Sequence, residues 1–334
     1  MKKIVVGIVT GLLLSIIAVS CIVMELFNYA ERPAGTDGKK KLVVVAPGQR
    51  IPSISSNLEI QGIIRHKEKF RRYSRIKGYD KQIKAGEYAL SADMSPVTIL
   101  RTIVGGKVYQ HRFTIPEGYT IQQITGVVEA SELVTRPAFL GALSDGDLRD
   151  RLGVEASTFE GYLFPDTYYF PRGVSPEKII STMVDRFRSV YTPAWRHRTE
   201  LLGFSIHQVV TLASIIERET GAPMERPLIS SVFRNRIRKK MRLESDPTVI
   251  YGIKDFNGNL TRKDLTTPTP YNTYTQRGLP PGPIANPGRD SIEAVLFPAD
   301  TDFLFFVSKR DGTHQFSSNI GDHNRAVRKY QLRR

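Results

Sequence analysis

Two carboxylates close a long apolar stretch of this sequence, Val209-Val210-Thr211-Leu212-Ala213-Ser214-Ile215-Ile216-Glu217-Arg218-Glu219-Thr220. Its apolar residues recur at helical spacing. At about 100° per residue, Glu217 falls between Val210 and Ala213, inside the apolar arc, while Arg218 points to the polar side. A carboxyl group on an apolar face is desolvated. Desolvation favours the protonated form, which is the form a general acid needs. The bland alternative is that Glu217 and Glu219 end the helix and pair with Arg218, Arg226 or Arg234.

Glycoside cleavage usually takes two carboxyl groups, one to protonate the leaving oxygen and one to attack or to activate water. Glu217 and Glu219 are two positions apart and diverge by about 200° on a helix, so they cannot flank one bond together. Asp246 or Asp166 would have to arrive through the fold. Other chemistries lack their motifs: there is no phosphate-cradling glycine loop, no Gly-x-Ser-x-Gly elbow and no His-Glu-x-x-His. His314 and His323 would need a third ligand from elsewhere, so no metal site and no cofactor is expected.

Elements that must position such a carboxylate are legible nearby. Phe159 to Pro171 interleaves aromatic and polar residues, which suits a carbohydrate groove or, alternatively, a strand and turn with core aromatics. Gly278-Leu279-Pro280-Pro281-Gly282-Pro283-Ile284-Ala285-Asn286-Pro287-Gly288 is too rich in Pro and Gly for helix or central strand and reads as a site-shaping loop. Helices are expected from about Pro176 to Tyr191, from Pro227 to Lys239 and from Ser291 to Leu296, with a buried strand at Phe303 to Val307.

The chain has 334 residues, 40% hydrophobic and 24% charged, enough for two folded domains. Its net charge of +15 calls for an anionic partner: nucleic acid, membrane surface or acidic polymer. Lys2 and Lys3 precede an apolar run from Ile4 to Met24, long enough to span a bilayer with its N-terminus left in the cytoplasm. Cleavage as a secretory signal and lipidation at Cys21 are the rivals. An uncleaved anchor places the body outside the cytoplasm and argues against nucleic acid. Cys21 is the one cysteine, so the body can form no disulfide.

After a Gly-, Asp- and Lys-rich linker, Val43-Val44-Val45-Ala46-Pro47-Gly48 starts a strand–turn–helix pattern with Ile51, Ile54 and Leu58. The same pattern returns at Phe113-Thr114-Ile115-Pro116-Glu117-Gly118 with Ile121, Ile124 and Val128, an internal repeat. Between them, residues 65–84 carry nine Lys or Arg against Glu68 and Asp80, a candidate surface for anionic polymer or lipid headgroups or a solvated helix face. A strand at Lys84 to Leu90 and a helix from Val97 to Val104 complete a compact α+β module.

These stretches together resemble the endolytic murein transglycosylases, the YceG-like family. The likeness is carried by Pro116-Glu117-Gly118, by Glu160-Gly161-Tyr162-Leu163-Phe164-Pro165-Asp166-Thr167-Tyr168, and by Ala213 to Thr220. Ser245-Asp246-Pro247-Thr248-Val249-Ile250-Tyr251-Gly252, Tyr271-Asn272-Thr273-Tyr274 and the Pro/Gly loop continue it over essentially the whole chain. The resemblance implies an α+β protein: a transmembrane helix within 1–30, a linker at 31–41, a LysM-like module at 42–150 and a catalytic domain at 151–334. It implies a bacterial inner-membrane enzyme that cuts the β-1,4 bond between N-acetylmuramic acid and N-acetylglucosamine inside glycan strands, leaving 1,6-anhydro ends. Glu217 matches the catalytic glutamate, acting as acid and then as base. Glu160, Tyr162, Glu219, Asp246, Thr248, Tyr251, Tyr271, Asn272, Tyr274 and Asn286 are expected to bind substrate. Peptidoglycan strands are the implied partner, with glycan synthases as a further one. The rivals are a non-catalytic peptidoglycan-binding scaffold and a two-carboxylate hydrolase.

Overall fold

The computed structural model describes residues 2–332. Its chain divides into two compact units, one running to His111 with Phe170–Arg172 added, the other comprising Arg112–Tyr169 and Gly173–Arg334. The division falls at Arg112, ahead of the 150/151 boundary read from the sequence. The reason is local: the Ile115 N–H donates to the Asp166 carbonyl at 2.9 Å, which ties the second strand–turn–helix segment to the later chain.

The first unit contains α1 (Lys2–Glu31), β1 (Lys41–Val45), α2 (Ile51–Ile60), α3 (Lys67–Ile76), β2 (Gly86–Leu90) and α4 (Pro96–Gly105). β1 and β2 pair antiparallel, Lys41 opposite Leu90 and Val45 opposite Gly86. Val43 and Val45 face the core and Leu42 and Val44 face out, the period-two pattern of a half-buried strand. The Ser95 hydroxyl caps α4, Pro96 opens it, and Gly106 at φ 67° ends it. The basic segment is not free of the core, because α3 buries Phe70, Tyr73 and Ser74.

α1 is long and apolar enough to cross a bilayer, and its apolar side chains from Ile4 to Met24 are exposed. The helix continues without a break beyond that run. Leu26, Tyr29 and Ala30 are buried in the same core as Val43, Phe70 and Leu100, and the Tyr29 hydroxyl donates to the His66 carbonyl. A cut at residue 31 would therefore open this core.

The second unit begins with β3 (His111–Thr114, its first residue in the other unit), α5 (Ile121–Ala130), α6 (Arg136–Leu143), α7 (Gly146–Arg151) and β4 (Thr167–Phe170, its last residue in the other unit). It continues through α8 (Pro176–Val190), α9 (Pro193–Leu201), α10 (Ile206–Glu219), α11 (Arg226–Arg238), α12 (Asp246–Gly252) and α13 (Arg262–Thr266). It ends with α14 (Arg289–Leu296), the antiparallel pair β5 (Phe305–Ser308) and β6 (His314–Ser317), and α15 (Ile320–Val327). α10 is its central element. A capping box between Ser205 and Gln208 starts it, and every residue from Val209 to Ile216 is buried. The sequence suggests one apolar arc, yet the helix is enclosed on all sides, Thr211 and Ser214 included. Those two hydroxyls are satisfied by the carbonyls of His207 and Thr211.

Two expectations change here. Phe159, Tyr162, Phe164, Tyr168 and Phe170 are buried, so this aromatic stretch is core and not groove; Tyr169 alone among its tyrosines is exposed. The strand expected at Phe303–Val307 runs from Phe305 to Ser308, and of these only Val307 is buried.

Candidate active site

Glu217 stands in the last turn of α10, where the enclosed helix meets solvent. Its Oε1 accepts a hydrogen bond from Arg226 Nη2 at 3.3 Å and its Oε2 accepts from the Gly288 N–H at 2.9 Å. Arg226 opens α11 and is 8% exposed. The same guanidinium reaches Glu117 Oε2 at 3.9 Å and Asp290 Oδ2 at 3.5 Å. One buried cation thus faces three carboxylates. The pairing of Glu217 with Arg226, the bland reading of the sequence, is real, and it occurs at the wall of a shallow cavity of about 280 Å³ lined by Glu117, Gly118, Glu217, Glu219, Thr220 and Arg226.

Glu117 is the residue that sequence reasoning quoted but did not nominate. It sits on the Pro116-Glu117-Gly118 turn, whose glycine adopts φ 74° and lies 3.5 Å, at its would-be Cβ, from Glu217 Cγ. The Gly118 N–H donates to the Asn286 carbonyl, fixing the turn on the Pro/Gly loop. Burial pushes the Glu117 carboxyl up, with the Glu217 charge adding to the rise, Arg226 opposing it and Asp290 adding again. Because both carboxylates reach the same Arg226 nitrogen, their oxygens lie within about 7 Å of each other. The Glu117 carboxyl also lies directly over the Cα of Gly288, where a side chain would collide with it. Gly288→Ala is therefore expected to swing Glu117 out of the cavity while the fold stands. Its turnover should match that of Glu117→Gln, with a melting temperature within a few degrees of the parent. Parent-like turnover in the alanine variant would remove Glu117 from the reaction.

Glu219, two residues on, goes elsewhere. Its Oε1 takes the Ser245 hydroxyl, while Arg218 reaches the Gly118 carbonyl at 3.5 Å. Burial pushes Glu219 up to about 7, lowered by Ser245 and raised further by Asp246. A carboxyl whose folded pKa exceeds its unfolded value holds a proton that the unfolded chain has released. It therefore stabilises the fold on the acid side and loses that contribution as pH rises, here from about 4.5 to about 7. Melting temperature should fall across this window, and Glu219→Gln should flatten part of the slope; identical slopes by calorimetry would overturn the assignment.

The other expected substrate ligands are mostly tied to protein. Glu160 is 4% exposed and accepts from the Ile121 N–H, Tyr251 hydroxyl and Asn286 Nδ2. Burial pushes it up to about 7 against those bonds. Asn286 is fully buried, accepts from the Leu163 N–H and donates to the Tyr119 carbonyl. It locks the Pro/Gly loop to two turns. Tyr162 is buried with its hydroxyl 3.1 Å from His207 Nδ1, and His207 Nε2 bonds the Pro281 carbonyl. His207 is a further residue that the sequence reading missed.

Thr248 is buried against Thr273 and the Ser245 carbonyl. Asn272 is buried and donates to the carbonyls of Asp264, Leu265 and Thr267. Asp246 accepts from the Tyr274 hydroxyl at 2.7 Å, and Asp166 is paired with Arg186. Neither aspartate meets Glu217. Tyr251 and Tyr271 rings lie 4.8 Å apart, half-exposed with Tyr274. His314 is bonded to Glu225 and His323 stacks on Phe305.

A carboxylate-lined concavity at the end of an enclosed helix, framed by a stiff Pro/Gly loop, is the kind of site that handles acid–base work on a polar polymer. The sequence profile of the YceG-like family matches residues 43–329. The chain belongs to that family. It is 33% identical over 315 residues to a Bacillus subtilis protein named endolytic murein transglycosylase, covering 89% of this chain and 87% of that one. A Streptococcus pneumoniae protein of the same name is 30% identical over 331 residues, covering 88% of this chain and 59% of the longer relative. The crystal structure of a putative YceG-like protein from Listeria monocytogenes matches at a TM-score of 0.60 and 34% identity, covering 86% of this chain and 99% of that one.

Proposed function

We propose that this protein is a lytic murein transglycosylase that cuts the β-1,4 bond between N-acetylmuramic acid and N-acetylglucosamine within glycan strands. The observation that carries the reading is Glu217, held at the cavity wall by Arg226 and the Gly288 N–H, in a chain whose relatives bear that name. In the first half-reaction the Glu217 carboxyl gives its proton to the glycosidic oxygen and the bond breaks. In the second, its carboxylate takes the proton of the sugar's own 6-hydroxyl, whose oxygen closes on the anomeric carbon. Proton count balances, no water is consumed, and a 1,6-anhydro end results. The intramolecular nucleophile gains from proximity. The Arg226 and Gly288 donors fix which oxygens of Glu217 face the cavity.

The first unit, two antiparallel strands flanking two helices, fits a LysM-like module that holds the strand, and α1 fits a single-pass anchor in the bacterial inner membrane with the body outside the cytoplasm. Glycan synthases are the partners that such a position would serve. Glu117 favours one second reading, a hydrolase in which it pairs with Glu217, since two carboxylates within about 7 Å suit water-dependent cleavage.

Mass spectrometry of the ends produced by the full chain in detergent separates the two. Anhydro ends support the lytic reaction. Reducing ends lost equally in Glu117→Gln and Glu217→Gln support the hydrolase. A folded chain that binds strands and cleaves none would leave a scaffold.

A further inference from the structure

A second concavity, of about 500 Å³, lies in the same unit and takes no part in the chemistry above. Arg198 of α9 and Arg234 and Arg238 of α11 converge on it, with Asn235 and Thr301 in its wall. Arg198 and Arg234 are half-buried, yet none of the three guanidiniums has a carboxylate within 4 Å among the described residues. Asp300, the one acidic residue in the lining, makes no ion pair among the described residues. Arg198 spends its Nε on the Leu296 carbonyl and lies over Phe297; Arg238 spends one nitrogen on Asn235 Oδ1. Arg234 lies over Phe204, and its side chain makes no hydrogen bond among the described residues. Its protonated form is disfavoured by burial and then by the neighbouring charges of Arg198 and Arg238. Three guanidiniums facing the single Asp300 carboxylate leave an excess of positive charge that an anion would offset.

The pocket is linked to the Glu217 site by two helices. α11 starts at Arg226 and reaches Arg234 eight residues later, about 12 Å along the axis and turned by about 80°. α14 starts beside Gly288 and Asp290 and ends at Leu296, whose carbonyl holds Arg198, again about 12 Å away. A peptide of five residues reaches about 17 Å when extended. We infer that this arginine pocket takes the carboxylates of the peptide stem borne by the muramoyl residues of the glycan, so that the enzyme reads stem-bearing strands. The inference rests on the glycan-cleaving reading above and names a subsite for it.

Two measurements on the full chain in detergent test it. In calorimetric titration, an N-acetylmuramoyl pentapeptide should bind at least about tenfold more tightly than the same compound with its carboxylates amidated. Arg234→Gln and Arg198→Gln should each remove about that factor for the acid form only, with circular dichroism unchanged. In cleavage assays the same variants should raise KM on stem-bearing strands and leave KM on amidase-stripped strands, and kcat on both, unchanged. Should Arg234→Gln fail to fold, Arg198→Gln and Arg238→Gln carry the comparison. Equal affinity for acid and amide forms, unchanged binding in the folded variants, equal KM changes on both kinds of strand, or inorganic phosphate outcompeting the peptide would each overturn the proposal. A chain that discriminates acid from amide but cleaves nothing keeps the pocket and loses the reaction. A chain that cleaves both strands with one KM keeps the reaction and loses the pocket.

Discussion

Glu217→Gln is expected to lower kcat about a thousandfold on glycan strands while the protein stays folded. General acid–base catalysis by one positioned group is worth roughly 10²–10⁴ in rate, and in the proposed reaction both proton transfers pass through the same carboxyl. The amide keeps the shape of the side chain, and its oxygen can still accept from Arg226 or from the Gly288 N–H. Arg226 also retains Asp290 and Glu117 as counter-charges. The stability loss should therefore stay near one hydrogen bond, about 1 kcal/mol. Single-turnover rates and melting curves on the same preparation check both halves. A variant that keeps a tenth of the parent rate would rule Glu217 out as the proton carrier.

Arg226→Gln should act in the opposite proportion, with a large loss of stability and activity together. Its guanidinium is buried and serves three carboxylates, so its removal leaves the buried Glu217 beside Glu117 and Asp290 without its ion-pair partner. Breaking a buried pair by deleting one partner costs about 3–5 kcal/mol, which for a unit of this size lowers the melting temperature by roughly 10 °C. Arg226 Nε is itself buried without an acceptor among the described residues, so the arginine is not placed for its own satisfaction. Its placement serves the carboxylates. Turnover should drop at least about a hundredfold even at temperatures where the variant is folded, because Glu217 loses the donor that orients it. A melting temperature equal to the parent's would mean that solvent, and not Arg226, balances the three charges.

The contrast between these variants rests on a feature that the sequence shows only in part. α10 could be read directly from apolar residues at helical spacing with a carboxylate at the end of the run, although its enclosure on all sides could not. The apolar span within α1 and the stop of α4 at Gly106 follow from local rules of the same kind. The carboxylate that neighbours Glu217 is not legible in the sequence. Asp246 and Asp166 carry the same functional group as Glu117, and only the fold shows that Tyr274 and Arg186 hold them while Glu117 arrives over Gly288. The polar residues of the family-like stretches pose the same problem. Asn272, Thr248 and Asn286 carry the side chains that a sugar site would use, yet they spend hydrogen bonds on loop backbone, a neighbouring hydroxyl or the buried Glu160 carboxylate. An amide has the same donors whether its acceptor is a ligand or a carbonyl several residues away, so residue type cannot separate the two.

What the sequence determined by itself is therefore what lies within a few turns of one residue. It set the apolar span, the helix that carries Glu217, the stiff loop and the turns whose glycines sit at positive φ, since short-range sterics and periodicity act inside a single element. Tertiary structure alone decided which charges meet. Glu117, Glu217 and Asp290 come from separate segments and converge on the one buried guanidinium of Arg226, while Arg198 and Arg234 converge on a pocket without an ion-pair partner among the described residues. Such convergence follows from how the enclosed helix α10 is packed by its neighbours. Burial is a property of the assembled core, and the environment of a charge is known only once the chain around it is folded.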